Sequence, residues 1–218
     1  MGGFDTNKEL FDKRNALYGP TVVKALEARG FEAYYCKDKG EALEKALSVI
    51  PKEHSVGWGG SASINEIGLV DRLRKDGYTL VDRDLGKTPE EKADIMRQAL
   101  TADTFIMSTN ALTENGELLN VDGSGNRVAA LCFGPKSIVM IVGINKVVRN
   151  IDAAIARVQT IAAPINAARF GLKTPCGVTG KCGECTGDGC ICVDWVVTRK
   201  SNPKGRIKVI LVGEELGF

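Results

Sequence analysis

The sequence predicts a single α/β domain over residues 1–218, with a mostly parallel sheet flanked by helices. Two observations support this prediction. Short apolar runs alternate along the chain with amphipathic segments of about 10 to 20 residues, which is typical of parallel strands joined by helical crossovers. One of these runs, residues 137–142 (SIVMIV), is apolar without interruption and therefore suits a strand buried on both faces.

The composition narrows the class of protein. Hydrophobic residues make up 44% of the chain, enough for a core, and the formal net charge of +2 gives no electrostatic footprint for nucleic acid. No apolar run approaches the roughly 18 residues needed to cross a bilayer. The first ten residues (MGGFDTNKEL) lack the apolar stretch of a signal peptide. We therefore predict a cytoplasmic protein with no nucleic acid partner and no membrane span, whose cysteines stay reduced.

The N-terminal half begins with a helical pattern over residues 5–29, then a strand at 31–36 and a helix at 38–49. Gly19-Pro20 predicts a break in the first helix, because proline cannot donate the hydrogen bond that a helix interior requires. Asp38 and Glu41 form a predicted cap of the second helix. The alternation continues with a strand at 54–58, a helix at 63–74, a strand at 79–81, a helix at 88–100 and a strand at 104–108.

The C-terminal half continues the alternation with less regular connections. Asn115-Gly116 predicts a hairpin turn, and residues 150–168 form a predicted long, Ala-rich helix. Two strand-like runs, at 193–198 and 206–212, lie after a segment rich in glycine and cysteine. We expect these two runs to extend the sheet.

Two glycine-rich loops predict a pocket for an anion. Residues 57–63 (GWGGSAS) lead from a strand into a helix, where glycine lets the backbone approach a ligand and the helix start offers unpaired N–H groups. A tight strand–helix turn is the alternative interpretation of this loop. Residues 110–127 form a second loop of turn-forming residues. Residues 142–147 (VGINKV) place Lys146 beyond the C-terminal end of a strand, where open α/β sheets bind ligands.

Together these segments resemble the LUD (lactate-utilisation) domain family, in the version with a C-terminal Cys-rich segment. The matching stretches are GWGGSAS with NEIG at 65–68, TNALTENGELLNVDGSGNRVAA at 109–130, and GPKSIVMIVGINKVV at 134–148. The resemblance extends from about residue 8 to the C-terminus. It implies the fold shared by sugar-phosphate isomerases, glucosamine-phosphate deaminases and coenzyme A transferases. It also implies a role in bacterial lactate oxidation, as one component of an iron–sulfur-containing system.

The resemblance further implies a set of pocket residues. One wall would consist of Gly57, Gly59, Gly60 and Ser61, and the other of Asn110, Asp122, Gly123, Asn126 and Lys146. Lys146 would pair with the carboxylate or phosphate of a small anionic metabolite. Glu114 is the candidate catalytic residue, because the related coenzyme A transferases use a glutamate as nucleophile. The alternative for Glu114, Asp122 and Asn126 is turn chemistry, in which the side chain hydrogen-bonds to nearby backbone.

A cysteine-rich segment at 174–192 predicts a metal site within the domain. Its proposed ligands follow the spacing C-x5-C-x2-C-x6-C: Cys176, Cys182, Cys185 and Cys192. Four thiolates suit an iron–sulfur cluster or, alternatively, tetrahedral zinc, and a metal-free redox cluster is a third possibility. In the LUD relatives that share the CxxTGxCxxC…C pattern, an arginine stands where this chain has Cys190. This departure leaves open which four of the five thiols bind.

Three further residues limit the chemistry. Cys36 and Cys132 lie inside predicted elements and are expected to be buried as small apolar residues. His54 is the only histidine, which makes a Ser-His-Asp triad or a two-histidine iron site improbable. The sequence has no Rossmann GxGxxG motif followed by an acidic residue, which argues against a nicotinamide dehydrogenase.

Three functions fit these observations. The first is an enzyme or enzyme subunit of 2-hydroxy-acid (lactate) metabolism, which binds a small anionic metabolite beside a Cys-ligated metal centre. The second is a non-catalytic iron–sulfur or zinc scaffold subunit that docks protein subunits of a lactate-oxidising system. The third is an enzyme that resembles coenzyme A transferases or sugar-phosphate isomerases.

Overall fold

The computed structural model describes residues 6–218. Its helices are α1 (Asn7–Ala28), α2 (Lys39–Val49), α3 (Ala62–Glu66), α4 (Leu69–Lys75), α5 (Pro89–Gln98), α6 (Asn126–Cys132), α7 (Ile151–Arg157), α8 (Ala163–Arg169) and α9 (Pro175–Thr179). Its strands are β1 (Glu32–Cys36), β2 (Ser55–Trp58), β3 (Thr79–Val81), β4 (Thr104–Met107), β5 (Ala111–Thr113), β6 (Leu118–Asp122), β7 (Ser137–Gly143), β8 (Val147–Val148), β9 (Asp194–Thr198) and β10 (Ile207–Val212). Most predicted strands and helices are therefore present.

The main sheet has six parallel strands in the order β1-β10-β7-β4-β2-β3. This sheet confirms the predicted α/β class. All seven residues of β7 are buried, and they alternate between two cores. Ile138, Met140 and Val142 pack into the core on one face, and Val139 and Ile141 pack into the core on the other. The run is apolar throughout because both faces of the strand are covered, as the sequence predicted.

Strand β10 lies inside the sheet, between β1 and β7. The sequence analysis expected residues 206–212 to extend the sheet after the cysteine-rich segment. The structure instead places this strand in the interior of the sheet. Val209 is opposite Ala33 on one side and Met140 on the other. Strand β10 therefore supplies the ladder of β1 in this sheet and one of the two ladders of β7, which also pairs with β4.

A second sheet contains the strands β8-β5-β6-β9. Strands β5 and β6 form the predicted hairpin, with Gly116 at a φ of 80° in the turn, a conformation that glycine adopts without strain. Strand β9 pairs antiparallel with β6 and thus belongs to this sheet rather than to the main one. The hairpin packs against α7 through Ala111, Leu119 and Val121.

Two predicted helix boundaries were wrong. Helix α1 continues through Pro20 without a break, since burial of Val22 and Leu26 against the main sheet outweighs the one missing hydrogen bond. The predicted helix at 63–74 is divided into α3 and α4 by Gly68, which has a φ of 71°. The caps at Asp38 and Thr88 are present, and each side chain accepts a hydrogen bond from the backbone three residues on.

Two more features differ from the sequence analysis. The long helix at 150–168 is interrupted by a π-helical turn at Val158–Ala162, just before Pro164. Cys36 is buried as predicted, but Cys132 is exposed at the end of α6. Within residues 6–218 no helix is both long and apolar enough to span a membrane.

Candidate functional site

A cavity of about 190 Å³ opens at the C-terminal ends of β2, β4 and β7. We call it the anion cavity. Parallel strands end at the same edge of a sheet, so the segments that follow them converge there. Its lining comprises Gly60, Ser61, Ala62, Arg83, Ser108, Thr109, Asn110, Val121, Asp122, Gly123, Ser124, Asn126, Arg127, Lys146, Asn166, Arg169, Phe170, Ile191 and Phe218.

Lys146 is the most buried cation of this cavity, with 3% of its surface exposed. It lies in a short 3-10 turn after β7, and its Nζ donates to Ser63 Oγ and Ser108 Oγ, each at 3.1 Å. None of the described carboxylates lies within ion-pair distance of Nζ. Burial, followed by the positive charges of Arg157 and Arg127, lowers the pKa of Lys146 to about 7. The amine is thus a buried donor whose charge lacks a carboxylate partner.

Asp122 organises the loop that forms the opposite wall. Its carboxylate accepts hydrogen bonds from the backbone N–H groups of Gly123 and Arg127 at 2.9 Å and of Val128 at 3.3 Å. The Nε atom of Arg127 lies 3.6 Å from the same carboxylate. With three N–H groups and a guanidinium around it, Asp122 serves as a support for the loop. This matches the turn chemistry considered for it in the sequence analysis.

Two residues of the same lining, Ser61 and Asn166, carry buried polar atoms without partners. Ser61 Oγ and Asn166 Oδ1 are both buried, and neither has a hydrogen-bond partner among the described residues. Ser61 precedes α3, but its side chain makes no capping bond to the helix. Buried polar groups are rarely left unpaired, so these two atoms are suited to hydrogen bonds with a ligand.

Seven of the predicted pocket residues line the anion cavity: Gly60, Ser61, Asn110, Asp122, Gly123, Asn126 and Lys146. Gly57 and Gly59 lie behind this wall. A Cβ at Gly57 would lie 2.8 Å from the Cβ of Ala99, and one at Gly59 would overlap Arg127. These two glycines therefore allow close packing below the loop and do not face a ligand.

Glu114 lies outside the anion cavity. Its carboxylate accepts a hydrogen bond from the Tyr18 hydroxyl at 2.7 Å, and its backbone N–H donates to Val148 O. Burial, together with this bond, raises the pKa of Tyr18 to about 12. The structure therefore separates Glu114 from the residues with which the sequence analysis grouped it.

Three arginines of the cavity were missed by the sequence analysis. Arg127 stands directly after the predicted residue Asn126, so the quoted motif already contained it. Arg83 and Arg169 come from a 3-10 turn and from the end of α8, and no local motif marks them. A charge count over the converging loops would have found Arg127, but only the fold brings in the other two.

A second cavity, of about 290 Å³, is lined by all five cysteines of the predicted metal segment. We call it the thiol cavity; its cysteines are Cys176, Cys182, Cys185, Cys190 and Cys192. All of these thiols are free. The apolar part of the wall comes from Val158, which begins the π-helical turn, from Ala163, which follows it, and from Trp195 of β9.

Backbone groups around the thiols favour negative charge on sulfur. The N–H of Glu184 points at Cys182 Sγ at 3.5 Å, and the N–H of Cys192 points at Cys190 Sγ at 3.4 Å. Burial, together with the other thiols, raises the pKa of Cys192 to about 12. Five thiols so close together cannot all ionise without a cation among them.

Five thiols are a suitable type of ligand for a metal group, but the distances between them are larger than a single bound ion requires. Within residues 6–218 no three Cys, His, Asp or Glu side chains are grouped tightly enough to hold a single metal ion. A tetrahedral zinc site would hold its sulfurs about 2.3 Å from one ion. Soft thiolates arranged around a cavity are also the ligand set of iron–sulfur clusters.

The two cavities share a wall. Ile191 lines the anion cavity, while its neighbours Cys190 and Cys192 line the thiol cavity. A Cβ at Gly123 would lie 3.2 Å from the Cα and O atoms of Ile191, so the Asp122 loop packs directly on this wall. Ligands at the two places would thus be separated by one segment of chain.

Comparison with known proteins bears on this architecture. The sequence profile of the LUD domain family matches residues 20–212 of the chain. A DUF162 family protein from Deinococcus radiodurans has a similar structure, with a TM-score of 0.54 and 14% sequence identity over 91% of this chain and 98% of that protein. At that level of identity the likeness concerns the fold.

Two other comparisons add less. The delta subunit of eIF2B from Chaetomium thermophilum is 18% identical over 49% of this chain and 47% of its own, with a TM-score of 0.32, too low to indicate a shared fold. No curated protein matches the sequence.

Proposed function

The chain belongs to the LUD domain family, and on that premise we propose that it binds a small anionic metabolite of the 2-hydroxy-acid class, lactate included, beside a Cys-ligated metal centre. In this proposal it acts as an enzyme or enzyme subunit of lactate-utilisation-type metabolism. The observation that carries the proposal is Lys146, a buried cation without a carboxylate partner at the end of a central strand.

The case for an anion is electrostatic. A buried ammonium group is costly unless an opposite charge accompanies it. The Nζ of Lys146 donates to two neutral hydroxyl groups, and the carboxylate of Glu66 acts on it only from beyond ion-pair distance. An anionic ligand would supply the missing charge and would favour the protonated amine. Among the described lining residues Asp122 carries the only side-chain carboxylate, and it is already engaged with its own loop.

The case for a hydroxy acid comes from the unpartnered atoms. Ser61 Oγ can donate or accept a hydrogen bond, and Asn166 Oδ1 can accept one. A ligand that carries a hydroxyl next to a carboxylate would satisfy both kinds of group. The volume of about 190 Å³ suits a small molecule of this type.

We further propose that four of the five thiols in the thiol cavity bind an iron–sulfur cluster, with zinc as the alternative. When bound, an iron–sulfur cluster supplies electron transfer. The N–H groups of Glu184 and Cys192 would orient the sulfurs and favour their thiolate form. Trp195, held by its Nε1–H bond to Cys192 O at 3.0 Å, would keep water from one side.

The scaffold and coenzyme A transferase alternatives have weaker support. Glu114, the proposed nucleophile of the transferase, is hydrogen-bonded to Tyr18 away from the anion cavity. A scaffold that binds no ligand would not explain why Lys146 is buried without a carboxylate partner. Docking to protein subunits of a lactate-oxidising system and a cytoplasmic location both remain predictions.

The anion site is tested by replacing Lys146 with methionine, which keeps the length of the side chain and removes its charge. We expect lactate and glycolate to raise the melting temperature of the wild-type chain, and Lys146→Met to abolish the shift. Lys24→Met, on the exposed side of α1, is the matched control and should keep the full shift. An equal shift of the melting temperature in Lys146→Met and wild type would show that Lys146 does not bind the anion.

The metal centre is tested by elemental analysis and visible absorption on protein purified without oxygen. Iron with acid-labile sulfide and a brown colour would support the cluster. Stoichiometric zinc in colourless protein would support the zinc alternative. Protein that binds neither, even after reconstitution, would refute the metal centre while leaving the Lys146 test untouched.

A further inference from the structure

Two arginines at the outer part of the anion cavity lack a neutralising partner. Arg169 is exposed at the end of α8, and no ion pair joins it to a carboxylate in the part of the chain that the structure describes. The nearest partner of Arg83 is Asp84, whose Oδ1 lies 3.8 Å from Nε and whose side chain is 74% exposed. Such a pair contributes little in water.

The positions of the two guanidinium groups are set by neighbouring side chains. The Cζ atom of Arg169 lies 4.4 Å from the ring centroid of Phe170 and 5.5 Å from that of Phe218. Arg83 donates toward Met96 Sδ at 3.7 Å, and its Nη2 would lie 3.5 Å from a Cβ at Gly60. Arg83 therefore lies beside the glycine loop, Arg169 lies beside two aromatic rings of the lining, and most of the five N–H donors of each guanidinium group are unused.

Both arginines line the same cavity. Partial burial lowers the pKa of Arg169, and the positive charge of Arg83 lowers it further. An anion bound between the two guanidinium groups would relieve their repulsion. Planar guanidinium groups bind carboxylate and phosphate oxygens through paired hydrogen bonds.

Lys146 forms a separate, deeper cationic position. It is 3% exposed, and the positive charges that act on it are those of Arg157 and Arg127, not those of the rim pair. Over residues 6–218, the cavity lining contains four cationic side chains and one carboxylate side chain. A ligand with one negative charge would balance only one of the two positions.

We infer that the anion cavity accommodates a small hydroxy acid with two anionic groups, one at Lys146 and the second, a carboxylate or a phosphate, between Arg83 and Arg169. This inference rests on the proposed function, because it uses the same cavity. It narrows the substrate class from simple hydroxy acids to dicarboxylic or phosphorylated ones.

The experiment compares lactate, malate and 3-phosphoglycerate by calorimetry with the full chain at pH 6.5. We expect malate or 3-phosphoglycerate to bind about tenfold more tightly than lactate, the amount that one additional charge-assisted contact contributes. Tighter binding of malate would indicate a carboxylate between Arg83 and Arg169, and tighter binding of 3-phosphoglycerate would indicate a phosphate there. Arg83→Gln and Arg169→Gln should each weaken that ligand about tenfold and change lactate binding less than about twofold.

Arg97→Gln is the control, since Arg97 is an exposed arginine of α5 that pairs with Asp94 at 2.7 Å. Equal binding of all three ligands, or equal weakening of all three by the rim variants, would overturn the inference while leaving the proposed function in place. If lactate binds and both dianions do not, the inference fails in the same way. If none of the three binds, both proposals fail together.

Discussion

The anion cavity and the thiol cavity lie side by side, yet they are built in different ways. The anion cavity is formed by strand ends of the main sheet, and its central groups are already fixed, as with Asp122 and its three N–H donors. The thiol cavity is formed largely by a segment of glycine and cysteine that buries little. Of its five cysteines, only Cys176 is buried.

The difference teaches where each site obtains its stability. Packing of the sheet stabilises the anion cavity, so its geometry exists before a ligand arrives. The segment at 180–190 has no helix or strand and no buried residue, and hydrogen bonds to sulfur are among its few contacts. We expect the thiol cavity to depend on a bound metal for its order, as small cysteine-rich modules do.

The largest effect should follow removal of two central thiols. Cys182→Ser/Cys185→Ser should lose the metal, because only three cysteines of the thiol cavity remain. Since a ligand present at a thousand times its Kd stabilises the folded state by about 4 kcal/mol, the free energy of unfolding should fall by roughly that amount. Chemical denaturation of the metal-loaded proteins measures the loss.

Cys132→Ser is the control, because Cys132 is an exposed thiol of α6 outside the thiol cavity. The comparison between the two cavities would be broken if the double variant kept its metal, or lost it with no change in stability.

A smaller effect concerns the pH dependence of stability at the anion cavity. The pKa of Lys146 falls from the ordinary 10.5 to about 7 on folding, so the unfolded chain binds one more proton between these values. Stability therefore rises with pH from about 7 to 10.5, and the penalty of burying the amine is greatest below pH 7. Lys146→Met removes the penalty.

Denaturant unfolding without ligand at pH 6.5 and pH 9 tests this. The stability of Lys146→Met relative to wild type should decrease by about 2 kcal/mol between the two pH values, at about 1.4 kcal/mol per pKa unit. A constant difference would show that the amine titrates in its ordinary range.

The smallest effect concerns affinity. An anion bound at Lys146 needs the charged amine, so affinity should be full below the pKa of about 7 and decline above it. From pH 6.5 to 8.5 the Kd of lactate, which stays a monoanion over this range, should rise roughly 20-fold. Calorimetric titrations measure it, and a flat profile would mean that lactate binds elsewhere.

The sequence was informative where local chemistry decides the structure. Apolar runs such as SIVMIV predicted buried strands, and Asp38 and Thr88 predicted helix starts, because each signal acts within a few residues. The sequence motifs also brought together seven residues of one cavity, although Gly57 and Gly59 of the glycine loop are not among them.

Long-range packing decided what the sequence did not reveal. Pro20 lies inside α1 because tertiary contacts of that helix compensate for it, and no local rule measures those contacts. Arg83 and Arg169 are separated by 86 positions and meet only through the fold. Glu114 has the neighbours of a pocket residue in the sequence but is oriented toward Tyr18 in the structure.

The position of β10 has a consequence for how the chain is made. Residues 207–212 leave the ribosome after every other strand, yet they occupy the gap between β1 and β7. Until then those two strands present open edges and apolar faces, the kind of surface on which nascent chains aggregate. The main sheet is therefore completed only when its last strand has been made, and chaperones that shield strand edges have their period of action before that step.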